Sequence, residues 1–540
     1  MKKILTLSAL ALMALTANAK DYTDQLSVSL AGNPLGTQES TISVDEQGDG
    51  KYTLSLNNFQ LAGLGGVGNI RLENVDATSY GETIHLSTSQ TIVITEGDDE
   101  NVGSWLGPML GDVPVSLNAN INGDDLYAVI KINGFGGVDV VFGDGGFQIK
   151  NSGFEEFHTA TYVYQDTPYS SDEPNAWHSF NSGIATGPLA ALTETALLVG
   201  STSISEDVRP GSTGTKSVLL QSGMVLGFQP ANGTMTTGQM QAGSIVATDP
   251  ANCAFLDFEN EALDGNGDPF YTVLNGTPDS LAVWVKFKQG VLSEDNADYK
   301  YATVSAVLTD GTRYQDPEVD TLTYNNVVAK AQNAQIESNN STWQRLSIPF
   351  DYDTYAANGA DAKALLVTIS TNAQPGVGSS DAANPDQLYV DDIELIYNNS
   401  LKSLNIKGTE IALTDGTYSY TLNGMSGELT LDDITAVADG QGAYVNISCE
   451  QGEFTLMSSD NTMSGTMVVI TVTSNDLLNT KTYTVFVEGV TTGIEKVETT
   501  TPNGIKAIYT IDGRRVNSMD AKGIYVVRKT DGTTVKIIKK

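Results

Sequence analysis

The strongest constraint on this chain is the period of its apolar residues. Outside the N-terminus no long segment carries the three- and four-residue spacing of a helical stripe. Short runs rich in Thr, Val, Ile and Tyr recur instead, separated by turns drawn from 53 glycines and many Asn and Asp residues. An all-β fold follows. Residues 387–397 show the pattern and its main irregularity. Side chains alternate along a strand, so Tyr389, Asp391, Ile393, Leu395 and Tyr397 share one face. Asp392 and Glu394 take the other, unless a bulge shifts the register. Asp391 thus falls among residues that seek a core, where a carboxylate needs a cation or several donors.

At 540 residues the chain exceeds one core, and roughly three to five domains are expected. It carries 29 Lys+Arg against 65 Asp+Glu, a formal net charge of -36. That balance argues against nucleic acid as a partner, because phosphate binding needs clustered cations. It suits a surface protein, or one that holds calcium. Cys253 and Cys449 are too few and too far apart for a disulfide framework. His85, His158 and His178 have no second ligand at metal spacing, which argues against a zinc site.

Residues 1–19 read as a signal peptide: Lys2 and Lys3, an apolar run over 4–15, then Ala17-Asn18-Ala19. The run is too short for a membrane anchor, and no later stretch is apolar enough to span a bilayer. Residues 20–133 hold about eight strand-like runs, at 26–30, 40–44, 52–56, 69–72, 83–86, 91–94, 115–121 and 126–132. Asn122-Gly123-Asp124-Asp125 is a hairpin signal. Through residues 52–59, 67–75 and 113–118 this segment resembles the calycin-like β-barrel domains of secreted Bacteroidetes proteins. The resemblance implies a barrel, without catalytic residues. An eight-stranded barrel is expected to be filled by its own side chains. Residues 134–147 read as a Gly-rich linker with a short strand; the Lys-Ser/Thr ending of a phosphate loop is missing.

Residues 148–398 form the central domain. In 280–287, Leu281, Val283, Val285 and Phe287 face one way, with Ala282, Trp284 and Lys286 opposite. In 342–350, Leu346, Ile348 and Phe350 oppose Trp343, Arg345 and Ser347. With Asn151–Glu155, residues 177–183, these two strands and residues 389–393, the segment resembles the carbohydrate-metabolism domain of Bacteroidetes surface proteins. More loosely it resembles jelly-roll carbohydrate-binding modules. Residues 399–489 look like an immunoglobulin-like sandwich of alternating runs and polar turns. Residues 490–540 change character, with 10 Lys+Arg against 5 Asp+Glu. Their runs 508–516, 522–528 and 535–540 resemble the C-terminal sorting domain of the type IX secretion system, which implies export and the secretion machinery as a partner.

The candidate site residues follow. Trp284, Arg345, Trp343 and Tyr301 could form an aromatic platform, since sugars present C–H faces to rings and hydroxyls to nearby polar groups. The same residues could instead pack under a loop. Trp177, in a Pro- and Ser-rich loop, is either a binding residue or a plug for one end of the core. Glu155 and Asp391 are the candidate ligands for a structural calcium, whose shell carbonyls could complete. Among 65 acids a hydrolytic carboxylate pair cannot be picked out, and no histidine sits in a nucleophile-elbow or zincin context. The function expected is glycan binding, without catalysis, by an exported cell-surface protein. A glycoside hydrolase or lyase on the same face, and a structural surface protein with no glycan site, are the alternatives.

Overall fold

The computed structural model describes residues 19–540 apart from 49, 62–64, 133–136, 293–297, 340, 456–461, 490, 493–504, 511–514, 517–522, 530–533 and 540. Residues 1–18 of the expected signal peptide therefore lie outside the described residues. The described chain is nearly all β. It divides into two compact units, one of residues 1–145, 400–438 and 444–540, the other of 146–399 and 439–443.

The first unit opens with a closed barrel of strands Lys20–Leu30, Asn33–Gly48, Lys51–Leu61, Gly65–Tyr80, Thr83–Val93, Asp112–Asn122, Asp125–Ile132 and Val138–Phe142. Neighbours are antiparallel throughout, and pairing of the first strand with the last closes the cylinder. Leu26, Leu72, Leu86, Leu117 and Phe142 are buried in its core. The hairpin at 122–125 forms as expected, with Gly123 in the left-handed region at φ 59°.

Two strands differ from the sequence reading. The runs at 83–86 and 91–94 belong to one strand, Thr83–Val93. The polar residues between them continue the ladder to Asp112–Asn122, because Ser and Thr on a wet face do not end a strand. The eighth stave is Val138–Phe142, the short strand in the Gly-rich segment; Val140 and Phe142 are buried by its closure.

The rest of this unit is a two-sheet sandwich and a small C-terminal sheet. One sheet orders Thr409–Glu410, Leu401–Ile406 and Ile434–Ala438; the other orders Ser419–Leu422, Thr480–Glu488, Thr462–Thr473 and Tyr444–Thr455. Tyr444 stacks on His85 of the barrel, with ring centroids 4.1 Å apart and planes 5° from parallel. Asn120 joins them, its Oδ1 2.9 Å from His85 Nδ1 and its Nδ2 donating to the Tyr444 hydroxyl at 2.8 Å. The tail forms a four-stranded antiparallel sheet in the order Arg515–Val516, Ile505–Thr510, Gly523–Lys529, Thr534–Lys539.

The second unit is built on two five-stranded sheets. One orders Thr202–Ser205, Ser217–Gln221, Gln387–Ile396, Ser280–Lys288 and Gln344–Pro349. The other orders Thr234–Thr236, Ala364–Ser370, Ala302–Thr309 and Val327–Ile336, with Thr272–Val273 also paired to Ala364–Ser370. One core joins both, with Leu281, Val283, Val285 and Phe287 from the first and Val304, Ala306, Val367 and Ile369 from the second. The start of the domain lies beside its last strand: Ser152 O accepts from Ile393 N at 2.9 Å, and the Gln148 side chain bonds both backbone groups of Leu395.

The bulge left open in the sequence is present. The register between Ser280–Lys288 and Gln387–Ile396 shifts where Trp284 meets Asp391, and Asp392 takes φ 39°. Leu388 and Val390 therefore face the core before the bulge, and Ile393, Leu395 and Tyr397 after it. This corrects the expected face for Tyr389 and for Asp391, which lies on the face opposite Leu388 and Val390, under the loop that carries Arg209. Tyr389 is half-buried on the outer side, because the inserted residue reverses the alternation.

Candidate functional site

The outer face of the Ser280–Lys288 sheet gathers four of the residues singled out from sequence: Trp284, Arg345, Trp343 and Asp391. Trp284 stands opposite Arg345 on one neighbouring strand and Asp391 on the other. Trp284, Trp343 and Tyr389 are each half-buried. Lys286, only 5 % exposed, places its ammonium 4.0 Å from the Tyr389 ring centroid and 5.4 Å from that of Trp343. Such cation–ring contacts strengthen as water is removed. The ammonium also pairs with Asp207, whose Oδ1 accepts from Trp343 Nε1 at 3.1 Å. Lys286 beside it holds the Asp207 carboxyl below the usual carboxylate range. The Arg209 guanidinium lies 5.4 Å from the Trp284 ring centroid. Arg345 and Glu394 at the rim are 44 % and 61 % exposed, with nitrogen and oxygen 3.9 Å apart.

The segment from Asp207 to Lys216 is thus pinned across this face, and the two candidate calcium ligands do the pinning. Asp391, fully buried, accepts from Arg209 N at 2.8 Å and from Asp392 N at 2.9 Å. Burial pushes its carboxyl up to about 6 against those two donors. Glu155 accepts from Thr215 N, Thr215 Oγ1 and Lys216 N at 2.9, 3.0 and 3.0 Å. Each carboxylate therefore meets backbone N–H donors and anchors this segment. At Asp391 the chain supplies two N–H donors to a buried carboxylate.

Two other expectations are corrected. Trp177 is fully buried, 5.4 Å edge-on to Phe154, with Nε1 donating to Lys150 O at 3.3 Å. It plugs the core, as its apolar area favours, and offers no face to a ligand. Tyr301 precedes a strand of the opposite sheet and is not on the platform. It lines a cleft of about 260 Å³ with Tyr299, Gln335 and Asn372. That is smaller than the ~300–1,000 Å³ of ordinary ligand pockets.

A second constellation escaped the sequence reading. His158 and His178, twenty positions apart, meet at one carboxylate: each Nε2 lies 3.4 Å from Asp264 Oδ2. Glu173 Oε2 stands 3.8 Å from His158 Nε2. His158 is on Phe157–Tyr164 and Glu173 on the paired strand Thr167–Pro174; Asp264 comes from a distant connection. No spacing in the sequence announces this, because the Asp264 segment arrives only through the tertiary fold. The one local sign is the Asp264-Gly265-Asn266-Gly267-Asp268 turn, in which Asp264 Oδ1 accepts from Asn266 N and Asp268 N at 2.9 and 2.8 Å.

Residues 19–143 match the family model of the calycin-like beta-barrel domain. The N-terminal segment is a calycin-like β-barrel. Two solved structures resemble part of the chain. One is a "putative glycoside hydrolase" from Bacteroides vulgatus ATCC 8482, 17 % identical, covering 46 % of this chain and 97 % of that one, TM-score 0.29. The other, from Bacteroides thetaiotaomicron VPI-5482, has the same description, 14 % identity, coverages of 53 % and 87 %, and TM-score 0.28. No curated protein matches the chain. The calycin-like barrel ends before the central unit begins, so the aromatic face lies outside the matched family.

Proposed function

We propose that the protein binds glycan, without turning it over, on the outer face of the Ser280–Lys288 sheet. The observation that carries this is the grouping of three half-buried rings on one face, Trp284 and Tyr389 on adjacent strands and Trp343 just before a third, Gln344–Pro349. Strands in a sheet are about 4.8 Å apart, so rings on neighbours make a surface of sugar dimensions. Asp207, Arg209, Arg345 and Glu394 around it supply donors and acceptors for hydroxyls. The loop over the face and the cation–ring contacts pre-order the rings, which lowers the entropy cost of binding.

A glycan array with the full-length protein tests this. Binding is expected for the wild type, with an affinity loss of roughly tenfold or more in Trp343→Ala, by analogy with other ring-stacking sites. A wild-type protein that binds no glycan refutes the reading and favours a structural role. Product release from a bound glycan would move the reading to a hydrolase or lyase.

We also propose export to the cell surface. The basic, small-residue-ended N-terminus and the excess of cations over 490–540 support it. Deleting residues 505–540 is expected to trap the protein in the periplasm; unchanged surface display refutes the reading.

A further inference from the structure

We infer that His158, His178, Glu173 and Asp264 form a structural site for one tetrahedral first-row divalent cation, zinc in the first instance. Glu173, His178 and Asp264 have fully buried side chains, and that of His158 is 10 % exposed. Yet His158 Nε2, His178 Nε2, Glu173 Oε2 and Asp264 Oδ2 all lack a hydrogen-bond partner, as does His178 Nδ1. Buried polar atoms rarely go unpaired, and four of them on neighbouring side chains point to a shared ligand. The short N–O separations are at ion-pair distance but are not aligned as good hydrogen bonds.

Three of the six ligand separations approach those of a tetrahedral metal site. Four ligands at ~2.0–2.1 Å in a tetrahedron lie about 3.3–3.4 Å from each other. The two His–Asp separations are 3.4 Å, and the His158–Glu173 separation of 3.8 Å needs only a small contraction. Two imidazole nitrogens with two carboxylate oxygens suit zinc and its first-row neighbours; calcium takes 6–8 oxygens.

The surroundings hold the ligands as metal sites require. Asn175 Oδ1 lies 3.2 Å from His158 Nδ1, and its Nδ2 is oriented toward Glu156 Oε2 at 3.4 Å. That places the ring proton on Nδ1 and leaves the Nε2 lone pair for a cation. Glu173 Oε1 accepts from Ser179 N, Ser179 Oγ and Ser182 Oγ at 2.7, 2.5 and 3.0 Å, which leaves Oε2 free. Asp264 Oδ1 is held by its turn, in which Gly267 takes φ 92°. Four protein ligands complete a tetrahedron and leave no open position, so the role is structural. The cation would tie the 157–174 hairpin and the His178 segment to the 264–268 turn, alongside the Ala176 N to Asp268 Oδ2 bond at 3.0 Å.

The test uses the full chain, stripped with chelator and then titrated with Zn2+ or Co2+. One equivalent of zinc per chain is expected, with a rise in melting temperature. The cobalt form is expected to show the intense visible bands of a tetrahedral site. His158→Gln, at the most accessible ligand, is expected to weaken zinc binding at least about 100-fold, since even outer partners cost ~10–100-fold. His85→Gln, in the barrel, is expected to bind zinc as the wild type does. A stripped wild-type protein that takes up no zinc and gives no tetrahedral cobalt spectrum overturns the site and leaves a metal-independent ion cluster. Unchanged zinc affinity in His158→Gln overturns it equally. Should that variant not fold, the wild-type cobalt spectrum decides.

Discussion

Two tryptophans of the central unit should respond unequally to the same substitution. Trp177 is fully buried, packed edge-on to Phe154 and bonded to Lys150 O. Trp177→Ala removes the largest fully buried side chain of the described residues, and such a truncation costs about 3–5 kcal/mol. Trp284 keeps part of its ring in water and touches the Arg209 guanidinium from above. Trp284→Ala forfeits part of the transfer energy and a cation–ring contact of ~0.5–1 kcal/mol, in all about 1–2 kcal/mol. For a unit of this size 1 kcal/mol moves the melting temperature by ~2–4 °C. Trp177→Ala should therefore melt roughly 6–20 °C lower, and Trp284→Ala roughly 2–8 °C lower. Thermal unfolding followed by tryptophan fluorescence measures this, since three of the four tryptophans lie in the unit and two remain in each variant. Equal destabilisation would refute the division into a core tryptophan and a face tryptophan. Only Trp284→Ala should stay folded enough to be assayed for glycan.

Further expectations concern charge. Burial lowers His85 to about 4, so it stays neutral while the unfolded chain protonates near 6.5. Stability of the first unit should fall by roughly 3 kcal/mol as pH drops from 6.5 to 4, and His85→Gln should flatten that slope in pH-dependent urea unfolding. Asp391 shifts the other way, to about 6. Its contribution is present below pH ~4 and is lost as pH rises through 6, by about 2–3 kcal/mol, and Asp391→Asn should remove that dependence. Lys286→Met, which keeps the stem but releases Asp207, should leave Trp343 Nε1 without an anchored acceptor. Glycan affinity should then fall several-fold with little change in melting; wild-type affinity would show that the ammonium does not order the face.

The strands of the candidate face were legible in sequence, because strand alternation is local. Leu281, Val283, Val285 and Phe287 had to share a side, and Trp284, Trp343 and Arg345 followed to the other. Legibility ended where one inserted residue changed the face. The bulge at Asp391–Asp392 moved Tyr389 outward beside Lys286, and nothing in the alternating pattern located it. Trp177 illustrates a different limit. Its loop composition suited binding and burial equally, and only packing against Phe154 chose between them.

What the sequence by itself determined was class and parcelling: all-β, a barrel first, a sandwich with a tryptophan-bearing outer face, a basic β tail. Those depend on period, turn chemistry and composition, which act over a few residues. The tertiary structure alone decided which distant groups meet. It set Glu155 and Asp391 each to anchor the 207–216 segment through its backbone N–H groups. It brought His158, Glu173 and His178 to Asp264, roughly a hundred residues away. Contacts of that range are set by how sheets and connections pack over a shared core, and no local periodicity encodes them.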